Sequence, residues 1–94
     1  MSMLFAKSYL TFKSEEEADR GLAILLQHAI ENSNFLSANA FDKIVYDRET
    51  NYDPCIGWTR GMLEGARIFA EPGFYYLELP SCYKFENLTV AHST

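Results

Sequence analysis

The sequence predicts an α+β domain: a small, mostly antiparallel sheet of three to four strands with helices packed on one face. Three observations predict it. Residues 3–13 alternate along the chain with the two-residue period of a strand. Residues 14–34 carry apolar side chains at the 3.6-residue period of one long helix. Residues 74–79 and 83–91 are rich in aromatic and β-branched types, the composition of strands.

In the first strand, Leu4, Ala6, Leu10 and Phe12 fall on one face, read as core. Phe5, Lys7, Tyr9, Thr11 and Lys13 fall on the other, as on a half-covered sheet. Ser14 ends that strand and opens the helix. Ser14-Glu15-Glu16-Glu17 fits a capping box, in which the serine oxygen accepts from the Glu17 amide and the Glu17 carboxylate reaches back. The acids also lie in the first turn, where the helix dipole favours negative charge. Ala18, Leu22, Leu25, Leu26, Ala29, Ile30 and Ser33 form the expected buried stripe. Ile24 falls on the opposite side with Arg20, Gln27, Glu31 and Asn34, so an apolar residue is expected among polar ones. Asn32-Ser33-Asn34 ends the helix.

Ile44-Val45-Tyr46 predicts a strand over 41–47, the competing reading being a short helix capped by Ser37. Residues 48–53 are polar and read as a loop. Asp53-Pro54 is a favourable helix opening. Trp58, Met62, Ala66 and Phe69 then predict a second helix over about 54–70, packed on the same face as the first. Gly57, Gly61 and Gly65 oppose it, and the alternative is a strand over 62–70 that closes as a hairpin through Pro72-Gly73. Pro80 suits only a strand end. The alternation of 83–91 breaks near Asn87, which suggests a bulge, and residues 92–94 should fray.

The chain has 94 residues, 48% hydrophobic and 22% charged, which suits one domain over 1–94 with its own core. The longest apolar run, residues 22–26, is far below the roughly 20 residues of a membrane span, and no membrane partner is expected. A formal net charge of −5 disfavours direct nucleic-acid binding. No basic region leads into an apolar stretch near Met1, so a cytoplasmic protein is expected, with Cys55 and Cys82 as free, buried thiols.

Chemistry-bearing patterns are sparse. The two histidines, His28 and His92, lie beside neither cysteine, and there is no GxSxG elbow. Asp47, Glu49, Asn51 and Asp53 alternate as in a calcium loop, but Tyr52 and Trp58 stand where that loop needs glycine and glutamate. Gly57 to Gly61 lacks the lysine of a phosphate-binding loop. No enzyme activity, cofactor or metal is therefore expected.

What remains is a surplus of aromatic residues, 15% of the chain. More rings are present than two short covering helices can hide, and exposed tyrosines are the anchors that protein interfaces use. The expected function is that of a small acidic binding protein that docks onto a protein partner, as a homodimer or higher homo-oligomer. The inhibitors by which phages and mobile elements block host nucleic-acid-binding machinery are of this general kind. The expected contact residues are Phe5, Tyr9, Ile24, Tyr75, Tyr76 and Tyr83, rimmed by Glu15, Glu16 and Asp19. One alternative is a small enzyme or metabolite binder whose tyrosines, His28, Cys55 and Arg60 or Arg67 line a pocket between sheet and helix. Another is a subunit whose task is self-assembly.

Overall fold

A computed structural model describes residues 7–85. The expected core positions Leu4 and Ala6, the strand beyond Phe85, the break near Asn87 and the fraying end lie outside the described residues. Within them the chain runs β1 (Ser8–Phe12), α1 (Glu15–Glu31), β2 (Phe35–Ser37), α2 (Ala38–Tyr46), β3 (Ile56–Thr59), α3 (Arg60–Glu64), β4 (Arg67–Glu71), β5 (Phe74–Leu79) and β6 (Tyr83–Lys84). The α+β class, the antiparallel pairing and the long first helix are as expected. The strands form two three-stranded sheets, ordered β1-β5-β4 and β2-β3-β6.

Ser14 caps α1, its Oγ accepting from the Glu17 amide at 3.1 Å. The Glu17 carboxylate reaches back one residue further than a capping box requires, to the Lys13 amide at 3.3 Å. Ser14→Ala is expected to cost about 1 kcal/mol, read as a lower urea midpoint at unchanged slope. Ala18, Leu25 and Ala29 are buried and Leu22 and Leu26 partly so, but Ile30 and Ser33 are exposed. The stripe is cut short because the helix stops at Glu31. Ser33 and Asn34 both take φ of 62°, and the Phe35 amide bonds the Asn32 carbonyl at 3.2 Å, a type I′ turn that feeds β2.

Residues 41–46 are helix and Asp47 is its cap, correcting the expected strand. Ser37 ends β2 and caps α2 with its Oγ on the Ala40 amide at 3.0 Å. Asp47 closes the helix in the left-handed region, with the Arg48 amide reaching back to the Asp42 carbonyl. Between these caps Ala38 and Phe41 are buried and Val45 half-buried, at helical spacing. Two caps and a packed face outweigh the β propensity of three residues.

The second correction concerns 54–70, which is β3, α3 and β4 instead of one helix. The glycines do not form a stripe: Gly57 lies in β3 opposite Ser37, Gly61 in α3, and Gly65 caps its end. Thr59 repeats the device of Ser37, ending β3 and capping α3 through the Met62 amide at 3.2 Å. The helix that packs beside α1 is thus the short α3, at 60–64, while α2, at 38–46, packs on β2 and β3. Pro72-Gly73 turns β4 into β5, with Gly73 at φ 88° as a type II turn requires.

One core joins both sheets. Leu25 and Ala29 of α1 meet Leu77 and Leu79 of one sheet and Leu36 and Trp58 of the other. The Trp58 indole N–H donates to the Pro80 carbonyl, just past the end of β5, at 2.6 Å.

Candidate docking surface

Antiparallel partners share a face, so the register sorts the β1-β5-β4 sheet. Leu10, Leu77 and Ile68 line up on the inner face, as do Phe12, Tyr75 and Ala70, and α1 covers this face. The outer face carries Tyr9, Glu78 and Arg67 in one row, Thr11, Tyr76 and Phe69 in the next, and Phe74 with Glu71 at the turn. Its rings touch in series. Tyr9 meets Tyr76 edge-on at 5.6 Å between centroids, Tyr76 stacks on Phe69 at 5.1 Å, and Phe74 lies 6.4 Å from Tyr76. Tyr9 is 54% exposed and Phe74 39%.

Charge frames these rings. The Tyr9 hydroxyl donates to Glu78 at 3.1 Å, and Lys7 approaches the same carboxylate at 3.6 Å. That hydrogen bond to Glu78 raises the Tyr9 pKa above the ordinary phenol value. At the other end Phe74 and Glu17 border one shallow depression with Thr11, Phe12 and Lys13, so the first turn of α1 reaches the rim of the aromatic face.

The structure brings together only some of the expected contact residues. Tyr9 and Tyr76 share the outer face. Tyr75, one residue on, necessarily points to the inner face beside Phe12 and is half-buried, which removes it from that surface. Tyr83 is exposed on β6 of the other sheet, edge-on to Phe85 at 5.2 Å. Glu15, Glu16 and Asp19 are exposed on α1, with Glu16 paired to Arg20 at 3.4 Å. Phe5 lies outside the described residues. Phe69 is absent from the expected set because 54–70 reads as helix; the alternation of Arg67, Phe69 and Glu71 against Ile68 and Ala70 is the signal that finds it.

Ile24, 51% exposed, belongs to a second feature. A groove of about 420 Å³ is bordered by β1, by Gly21, Ile24 and Leu25 of α1, and by Ile44, Val45 and Tyr46 of α2. Gly21 lies where the Phe12 ring packs on α1; a Cβ there would come within 2.8 Å of the far end of that ring, which would have to shift.

The residues of the alternative pocket are spread over separate elements: His28 on α1, Cys55 before β3, Arg60 paired to Glu64 in α3, and Arg67 on the outer sheet face. Both cysteines are free but half-buried, not buried, and burial pushes the Cys82 thiol up. The loop acids lean on lysines, Asp47 and Glu49 on Lys43 and Asp53 on Lys84. The Cys55 amide, ahead of Lys84, holds the Asp53 carboxyl below its usual value. Among the described residues no helix is long and apolar enough to cross a membrane. The chain matches no protein-family model, no curated protein and no solved structure.

Proposed function

We propose that this chain is a non-enzymatic binding module that docks onto another protein through the outer face of the β1-β5-β4 sheet. The observation that carries the reading is the series of touching rings Tyr9, Tyr76, Phe69 and Phe74 on a sheet face opposite α1. Rigid aromatic anchors dominate interface energetics because they bury large areas at small entropic cost. The rim carries both signs, Glu17, Glu71 and Glu78 beside Lys7, Lys13 and Arg67, so a basic partner surface is favoured by the net charge of −5 and not by the rim. In its narrower form the proposal is an inhibitor of the phage type, with Glu15, Glu16 and Asp19 facing the basic groove of a nucleic-acid-binding target.

Affinity capture from host lysate, with native mass spectrometry of the free chain, tests the reading. A partner recovered by the wild type should be lost with Phe69→Ala/Phe74→Ala, since truncating two anchors at about 2 kcal/mol each weakens binding by roughly three orders of magnitude. A partner held equally by that variant would overturn the proposal. A dimer that the same variant dissolves would mean that a second copy occupies the face.

A further inference from the structure

We infer that the groove between β1 and α2 is a slot for one extended, uncharged segment of a partner protein, bound by adding a strand to β1. This goes beyond the aromatic face to a second surface, and it rests on the reading of the chain as a protein-docking module.

The strand edge argues for the form of the occupant. β1 pairs with β5 on one side, and no strand lies on its other side among the described residues. The consecutive residues Tyr9, Leu10, Thr11 and Phe12 all border the groove. Consecutive strand residues point to opposite faces, so what they share is the backbone edge, with its outward N–H and C=O groups. An extended segment satisfies such an edge, and side chains at alternate positions supply selectivity.

The walls argue for a single strand. α2 borders the groove together with β1, through Ile44, 38% exposed, and Tyr46, 49% exposed. A sheet edge from another molecule would bring its next strand about 4.8 Å further out, whereas a groove of about 420 Å³ that α2 also borders holds only a few residues of one strand. A lone segment has no such neighbour. The lining argues for its chemistry: every residue bordering the groove is uncharged, in a chain of net charge −5. A charged side chain pressed onto Ile24, Leu25 and Val45 would be desolvated without a partner. Every other side chain of the segment should therefore be apolar, and those between them should face water.

The probe is a displayed library of random heptapeptides, with the strongest binder synthesised and measured by calorimetry. Methylating its backbone nitrogens one at a time should weaken binding about three- to tenfold at alternate positions and leave the positions between them unchanged. Ile24→Asp and Ile44→Asp, both at exposed positions, should each weaken it about tenfold or more while leaving the urea midpoint near wild type. Phe69→Ala, on the outer face, should leave it unchanged. A library without binders, binding indifferent to both groove variants, or tolerance of methylation at every position would overturn the inference. Loss of the peptide with Phe69→Ala but not with the groove variants would also overturn it, and would leave the aromatic-face reading standing. Loss of lysate capture in the groove variants, with Phe69→Ala/Phe74→Ala still binding, would do the reverse.

Discussion

Gly57→Ala is expected to lower the stability of the fold by roughly 3 kcal/mol or more, at the upper end of what overpacking costs. A Cβ at position 57 would land on the Leu36 carbonyl oxygen and come within 2.7 Å of the Ser37 Cα and 2.8 Å of the Phe35 ring. Two of these neighbours are backbone of the paired strand β2, which cannot rotate away. Relief requires β2 and β3 to part, and those strands carry Leu36 and Trp58 of the shared core. For a domain of this size the loss corresponds to a fall in Tm of about 12–24 °C. Gly61→Ala is the internal control. The nearest atom to its new Cβ is Thr59 Oγ1 at 4.0 Å, and an alanine inside a helix gains up to about 1 kcal/mol over glycine. Thermal melts of the two variants should therefore move in opposite directions. A Gly57→Ala melt within a few degrees of wild type would show that β2 and β3 do not approach as closely as described.

The contrast between these glycines explains where the fold was legible in the sequence and where it was not. β1, α1 and β5 announce themselves, because each has a sustained period and a punctuating residue at an end: Ser14 between β1 and α1, Pro80 after β5. The stretch 35–65 does not. There the chain passes from strand to helix twice without a loop, since Ser37 and Thr59 each serve as the last strand residue and the helix cap. A period that changes within one residue leaves a window containing half of each pattern. Trp58, Met62 and Phe69 then mimic a helical stripe, although they belong to β3, α3 and β4. Gly57 looked like a cost to a helix, whereas it is the position where two strands come too close for any side chain. The site follows the same logic. Tyr9 is legible from the alternation of β1. Phe69 becomes legible as a residue beside Tyr76 only once the alternation of 67–71 is paired with β5, and Ile44 only once α2 is a helix that borders the same groove as β1. A shared surface between distant segments is a property of register and packing, which one-dimensional spacing does not contain.

Trp58→Ala is expected to have the larger effect of two substitutions at the centre of the molecule, about 3–5 kcal/mol, enough to leave much of the population unfolded at 37 °C. Trp58 is 2% exposed, its ring lies 4.9 Å from that of Phe41, and its indole N–H holds the Pro80 carbonyl. It therefore does two things, filling the space among α1, α2 and β3 and tying the second sheet to the end of β5. Trp58→Phe separates them. The phenyl ring keeps most of the packing but leaves the half-buried Pro80 carbonyl without its donor, at a cost of about 1 kcal/mol. The variants carry no tryptophan, the chain having only one, so unfolding is followed by far-UV circular dichroism. In the wild type the fluorescence of that single buried indole should shift to the red in the same transition. Coincidence of the two wild-type curves is the expected result, because one residue joins both sheets to one core. A Trp58→Phe midpoint equal to wild type would show that the bond to Pro80 holds nothing together. Separate wild-type transitions would show that the sheets unfold independently.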